Sequence, residues 1–197
     1  MEAQRNGVEV FYPKSRKEWR AWLQKNGQEK KNVWLLLYNK QSGKPTLTMP
    51  EAVEEALCFG WIDSKANKRD EESRYQSFAK RKPGGTWSKI NKARVKQLIN
   101  EGLMQETGME MIRIAKKNGS WTKLDTIDRL EIPDDLQKAL NKNKTALQHF
   151  NAFPPSSKKI ILLWISTAKT EVTRSKRIAE AVTLAAVNKR ANHYQPK

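Results

Sequence analysis

The sequence has few of the residues that build metal centres and disulfides. It contains one cysteine and two histidines among 197 residues. A single cysteine excludes a disulfide within the chain and a cysteine-rich zinc site, and no His, Asp and Glu residues have metal-ligand spacing. We therefore expect neither a metal nor a cofactor.

Long apolar runs are also missing. The longest, I-I-L-L-W-I at 160–165, is far shorter than the roughly 20 residues of a membrane-spanning helix. The first residues lack the basic segment followed by an apolar one that marks a secretory signal. These absences predict a protein without a membrane span, located in the cytosol.

The motifs of phosphate-binding loops, dinucleotide-binding folds and serine hydrolases are absent as well. One enzymatic alternative remains in the segment E-A-L-C-F-G-W-I-D at 55–63. Cys58 is more typical of a small buried hydrophobic residue than of a nucleophile. Asp63 has no structural explanation in the sequence and is a natural partner for Arg81 or another base. An enzyme that uses Cys58 or Asp63 is therefore kept as an alternative.

Positive charge is what the chain has in excess. Lysine and arginine number 38 against 21 acidic residues, which gives a net charge of +17. Such a charge attracts anions. The candidate partners are thus an anionic small molecule or nucleic acid, and the sequence gives no oligomeric state.

Seven tryptophans bear on the nucleic-acid alternative, because aromatic rings can stack on bases. Four fall on apolar patterns and are predicted to be buried, namely Trp19, Trp22, Trp34 and Trp164. The other three flank predicted turns and remain candidates for stacking, namely Trp61, Trp87 and Trp121.

Hydrophobic periodicity predicts an α+β fold class. Three segments predict a small sheet, at 33–39, 61–66 and 74–80. Helices are predicted to follow four caps, at Ser15, Thr48, Ser88 and Thr107. After about residue 120 only helical patterns remain. We therefore predict a small sheet with helices at 1–122 and an all-helical module at 123–197.

Basic residues cluster where helices are predicted to begin. Residues 80–96 contain seven lysines and arginines and no acid. Three predicted starts carry bases where the helix dipole disfavours them, after Ser88, after Ser156–Ser157 and after Thr173. Either a basic chain places such residues everywhere, or a start holds an anion. Arg174 and Arg177 are the sharper candidates, because arginine suits bidentate capture of phosphate or carboxylate.

Asn91 is a polar residue on the apolar stripe of the helix predicted after Ser88. A buried amide must find hydrogen bonds. It either bonds to the backbone of the loop at 83–87 or lines a pocket next to Arg81. The candidate ligand-binding residues are therefore Asp63, Arg81, Trp87, Asn91, Arg94, Arg174 and Arg177, and no catalytic residue is assigned.

Four segments resemble a known bacterial family. They lie at 55–63, 80–104, 115–121 and 153–178, and include W-S-x-x-N and F-P-P-S followed by W-I-x-x-A-K and T-R-x-x-R-I. The chain is similar to the YdeI/OmpD-associated family, also labelled bacteriocin-protection. The resemblance implies an α+β domain followed by a helical module of that family, with a stress or envelope link and no assigned reaction. The leading hypothesis is a cytosolic bacterial protein that binds an anionic ligand through Arg81, Arg94, Arg174 and Arg177.

Overall fold

A computed structural model describes residues 3–193 of the chain. Residues up to Thr122 form one compact unit, and residues from Lys123 form another. The first unit combines a five-stranded sheet with helices, and the described part of the second is helical. The predicted α+β class is confirmed.

The sheet of the first unit has the strand order β1-β2-β3-β5-β4. Its strands are β1 (Gln4–Arg5), β2 (Val8–Phe11), β3 (Asn32–Tyr38), β4 (Trp61–Lys68) and β5 (Ser73–Lys80). The three predicted strands pair antiparallel, with β5 between β3 and β4, whereas β2 runs parallel to β3. Strands β1 and β2 were not predicted, because runs of two and four residues are too short to show an alternating pattern.

Four helices belong to this unit, α1 (Arg16–Asn26), α2 (Met49–Cys58), α3 (Lys89–Asn100) and α4 (Glu106–Lys117). The predicted caps of α1, α2 and α3 are confirmed, since each hydroxyl accepts a backbone N–H three residues ahead. The predicted cap Thr107 is wrong, because α4 begins at Glu106. The backbone N–H of Gln105 donates to the carbonyl of Cys58 at 3.0 Å, which fixes the chain one residue before the helix.

Large aromatic side chains fill the core between the sheet and these helices. Trp19, Trp61 and Phe78 are fully buried. The indole N–H of Trp61 donates to the carbonyl of Gly27 at 3.2 Å, so its polar atom is satisfied. Trp87 is also buried, at 2% exposure. The suggestion that Trp61 and Trp87 stack on bases is therefore wrong, because the core of the first unit encloses both rings.

The second unit contains α5 (Asp125–Asp128), α6 (Asp134–Asn141), α7 (Lys144–Ala152), α8 (Pro155–Ser166) and α9 (Glu171–Ala186). Its core is aliphatic around two buried aromatic rings, those of Phe150 and Phe153, and Leu136, Leu140 and Ile165 are fully buried. The single turn α5 was not predicted, because four residues show no helical period. None of the helices described in residues 3–193 is both long and apolar enough to cross a membrane.

Two predicted helix starts in this unit are wrong. Helix α8 begins at Pro155, whose fixed φ suits a first turn, and α9 is capped by the hydroxyl of Thr170. Lys158 and Arg174 are therefore fourth in their helices, where their backbone N–H groups bond to the carbonyls of Pro154 and Thr170. The argument from bases at a helix start survives only for α3.

Candidate functional site

A cleft of about 440 Å³ opens in the first unit where four segments meet. The residues after α1 contribute Gly27 and Gln28, and the end of α2 contributes Phe59 and Gly60. The end of β5 contributes Lys80 and Arg81, and the first turns of α4 complete the wall with Glu106, Thr107, Glu110 and Met111. This volume lies in the range of sites that hold a small molecule.

Two glycines allow these segments to approach each other. Gly60 has φ +76°, and a Cβ there would lie 2.9 Å from Met111 Cγ and 3.0 Å from the carbonyl oxygen of Thr107. A Cβ on Gly108 would overlap the carbonyl oxygen of Cys58. Because both positions lack a side chain, α4 packs directly against the end of α2.

Arg81 is the buried charged residue of the cleft wall, at 7% exposure. Its backbone N–H donates to the carbonyl of Gly60 at 2.9 Å, which brings it to the end of α2. Its guanidinium carbon lies 3.5 Å from the centroid of the Trp87 ring. One Nη donates to the carbonyl of Thr86 at 3.3 Å, whereas the buried Nε has no hydrogen-bond partner.

The Arg81 guanidinium has no ion-pair partner among the described residues. Burial lowers the pKa of Arg81 to about 10. The carboxylate of Asp63 acts against that shift. The guanidinium is still charged at neutral pH. An unsatisfied buried donor costs about 1–3 kcal/mol, and a cation–π contact returns about 2 kcal/mol when it is desolvated. An anion near the guanidinium would offset the buried charge.

The residues of the enzyme alternative have different surroundings. Cys58 is fully buried, and burial, with a smaller contribution from Glu55, raises the pKa of its thiol to about 11. The thiol is therefore protonated at neutral pH, which is the opposite of an activated nucleophile. Asp63 is half-buried on β4, opposite Phe78 of β5. Its electrostatic effect reaches Arg81, as the sequence suggested.

Asn91 and Arg94 form a separate pair on α3. A guanidinium nitrogen of Arg94 donates to the side-chain oxygen of Asn91 at 3.3 Å, and both side chains are half-buried. The carbonyl of Pro83, in the loop considered for Asn91, accepts instead from the side-chain amide of Asn118 at 2.8 Å. The structure therefore joins Arg81 to Trp87 and joins Asn91 to Arg94.

Arg174 and Arg177 lie in the second unit. Arg174 donates from Nε and Nη2 to the carboxylate of Asp135, at 2.5 and 2.9 Å. Arg177 donates to the backbone carbonyl of Trp164 at the end of α8 and, at 3.1 Å, to the hydroxyl of Thr167. Both guanidinium groups thus connect helices of the second unit, and their role as ligand-binding residues stays a prediction.

Sequence reasoning missed most of the cleft wall. Phe59 and Met111 carry no motif. The glycine at position 60 was the one available signal, because a glycine often permits close packing, and its φ is positive in the structure. Among residues 3–193 no cluster of three or more His, Cys, Asp or Glu side chains could hold a metal ion.

Comparison with known families divides the chain in two. Residues 11–111, about half of the chain, match a family described as "Domain of unknown function (DUF8412)". Residues 129–188 match the family described as "Bacteriocin-protection, YdeI or OmpD-Associated", which confirms the suspected family for the C-terminal part. The similar segments at 55–63 and 80–104 lie within the first match instead. No curated protein and no solved structure matches the chain significantly.

Proposed function

We propose that the protein, which belongs to the family described as a domain of unknown function (DUF8412), binds a small anionic molecule in the cleft beside Arg81. The observation that carries the proposal is the state of Arg81. Its guanidinium is buried at the wall of a cleft, has no ion-pair partner among the described residues, and has an unsatisfied Nε. A buried charge without a counter-ion is costly, and a bound anion relieves that cost.

The other basic residues support a site at Arg81 more than a site at the predicted helix starts. Arg174 already donates hydrogen bonds to a carboxylate, and Arg177 already donates to a backbone carbonyl and a hydroxyl. An anion at either residue would have to replace these bonds. Lys80 adds a second positive charge to the cleft wall, although its ammonium bonds to the carbonyl of Gln28. Together the charges of Lys80 and Arg81 favour an anion near Arg81.

The proposal is tested by ligand-induced thermal shifts with a panel of carboxylated and phosphorylated metabolites. At 100 times its dissociation constant a ligand stabilises the folded state by about 2.7 kcal/mol, which raises the melting temperature by roughly 5–10 °C for a chain of this size. We expect this shift for the wild type and its loss in Arg81→Met, which keeps an unbranched side chain against Trp87 and removes the charge. Arg94→Met is the matched control, because Arg94 lies in the same unit and bonds to Asn91.

The outcome separates the alternatives for the site. A shift that is lost in Arg81→Met and kept in Arg94→Met supports the cleft. An undiminished shift in Arg81→Met contradicts it. A shift lost in Arg174→Met or Arg177→Met, and kept in Arg81→Met, would assign the ligand to the second unit.

A cellular role in bacteriocin protection accords with the description of the second matching family. We place the anion-binding step in such a stress- or envelope-linked role, in the cytosol. Complementation of a deletion strain tests it: wild-type protein should restore survival under bacteriocin, and Arg81→Met at equal abundance should not. Equal survival with both proteins would mean that protection does not depend on ligand binding at Arg81.

Nucleic acid is a second candidate ligand. Lys82, Lys89 and Lys96 are exposed in the acid-free stretch 80–96, and Lys89 is the first residue of α3, where the dipole adds positive charge. This hypothesis predicts that the affinity for nucleic acid falls steeply as the salt concentration rises, because bound phosphates release counterions. Absence of binding to single- and double-stranded DNA and RNA at about 50 mM salt would eliminate it.

A further inference from the structure

A smaller compartment adjoins the cleft. It measures about 170 Å³ and shares five wall residues with the larger one, Gly27, Gln28, Phe59, Glu106 and Thr107. Phe59 is the only aromatic residue in the shared wall. Beyond the shared residues, the smaller compartment is lined by Leu23, Gln24 and Gln105. It is too small to hold a typical ligand alone and can serve as an extension of the cleft.

The two compartments differ in their chemistry. The larger one is lined by the basic residue Arg81 and the apolar residue Met111. The smaller one adds two side-chain amides, which both donate and accept hydrogen bonds and carry no charge. A ligand that occupies both would therefore have an anionic end, an apolar middle and an uncharged polar end.

Two carboxylates restrict the charge of that ligand. Glu106 and Glu110 belong to the wall that also contains Arg81, and both bond to the exposed Arg113. Two carboxylates share the single charge of Arg113, so one negative charge stays uncompensated beside them. A phosphate dianion would meet more repulsion there than a carboxylate, which carries a single charge.

The ring of Phe59 lies near an arginine that has hydrogen-bond partners of its own. The guanidinium carbon of Arg20 lies 5.4 Å from the centroid of the Phe59 ring. Arg20 itself donates to buried Glu55 at 2.7 Å and to the carbonyl of Leu103 at 2.8 Å. These bonds limit the movement of Arg20, so the ring at the junction of the compartments has a stable position.

From these observations we infer that the ligand is an elongated monocarboxylate, with its carboxylate on Arg81 and an uncharged polar end beside Gln24 and Gln105. Phe59 is the specificity-determining residue, because it lies where the apolar chain passes from one compartment to the other. The inference rests on the proposed function, since it requires that Arg81 binds an anion.

Titration calorimetry with defined probes tests the inference. The probes are straight-chain carboxylates from acetate to dodecanoate, the same chains with a terminal amide, and inorganic phosphate. In the wild type we expect affinity to rise up to about fourfold per methylene and the amide-ended chain to bind more tightly than the unmodified chain of equal length. Phe59→Ala should change the chain length of tightest binding, and Arg81→Met should abolish the binding of all carboxylates.

Phe59→Leu is the conservative variant in case Phe59→Ala unfolds, and it should give a smaller change in the same direction. Phe11→Leu is the matched control, because Phe11 packs on the same core and lines neither compartment. Arg81-dependent binding of acetate without any gain from length would overturn the inference and leave the proposed function standing. Tighter binding of phosphate than of carboxylates would also overturn the inference alone. So would a dependence of affinity on chain length that is unchanged in both Phe59 variants. No Arg81-dependent binding of any anion would overturn both.

Discussion

Each unit of the protein holds an arginine against a tryptophan, and the two pairs differ in almost every other respect. In the first unit the guanidinium carbon of Arg81 lies 3.5 Å from the centroid of a buried ring, that of Trp87. In the second, the guanidinium carbon of Arg177 lies 5.2 Å from the ring of half-buried Trp164. Arg177 bonds to a backbone carbonyl and a hydroxyl, whereas Arg81 has one long bond and an unsatisfied Nε.

The difference shows how surroundings assign a role to the same residue type. Arg177 satisfies a carbonyl at the end of α8, where the helix dipole favours a cation, so its charge stabilises the fold. Arg81 has a ring contact and one long hydrogen bond, and it forms no ion pair among the described residues. Incomplete satisfaction of a buried charge is the property that distinguishes a candidate site from a structural contact.

Substitutions of the two tryptophans should give the largest changes in the free energy of unfolding. Trp87→Ala should lower the free energy of unfolding by about 3–5 kcal/mol, because it opens a cavity in the core of the first unit. Trp164→Ala should cost less, about 2 kcal/mol, because part of the half-buried ring is already in contact with water. Urea denaturation of both variants measures the difference. Equal losses would mean that the two rings contribute equally to their cores.

The two arginines should respond in opposite directions. Arg177→Met should lower the free energy of unfolding by about 1–2 kcal/mol, because it removes two hydrogen bonds from a charged donor. Arg81→Met should leave it unchanged or raise it by about 1 kcal/mol, since a buried charge without a partner is replaced by an apolar side chain of similar length. Both values come from the same urea experiment. A loss of more than about 2 kcal/mol in Arg81→Met would assign Arg81 a structural role and weaken the case for a site.

Local signals in the sequence were sufficient for much of this fold. Thr48 and Glu51 form the complete capping box that their spacing predicts, and the apolar run of β3 is buried as expected. Prediction of helix starts failed where two possible capping residues lie close together, and prediction of strands and helices failed where the element is very short. Thr173 looks like a cap, but Thr170 lies three residues earlier and is followed directly by Glu171, which suits the first turn better.

The candidate site was only partly predictable, for a different reason. Arg81 and its relation to Asp63 followed from the scarcity of acids around a basic segment. Phe59 and Met111 could not be identified, because they meet only when α4 packs against the end of α2, and that contact depends on Gly60 and Gly108. Long-range packing of this kind leaves no periodic pattern in the sequence. The burial of Trp87 could not be predicted either, because the residue lies outside any helix or strand.

The smallest expected effect concerns an arginine that forms an ion pair, Arg174. The side-chain hydrogen bond from Arg174 is the main cause that lowers the pKa of Asp135 below its ordinary value of 3.8. Since the pKa is lowered in the folded state, the pair stabilises the fold above the unfolded pKa, and this stabilisation is lost as the pH falls through the folded pKa. Asp135→Asn should therefore cost less than about 1 kcal/mol near neutral pH, because solvent screens a partly exposed pair.

The difference between wild type and Asp135→Asn should shrink when urea midpoints are measured first at about pH 6 and then at about pH 3. Asp134→Asn is the matched control, because Asp134 is the exposed neighbour in the first turn of α6. A cost of Asp135→Asn that stays the same at both pH values would mean that the carboxylate acts through its shape and not its charge. The same pair of measurements on Arg81→Met should show a smaller change, because the Arg81 guanidinium stays charged throughout this range and only the charge of Asp63 acts on it. That contrast would separate an arginine that forms an ion pair from one that forms none among the described residues.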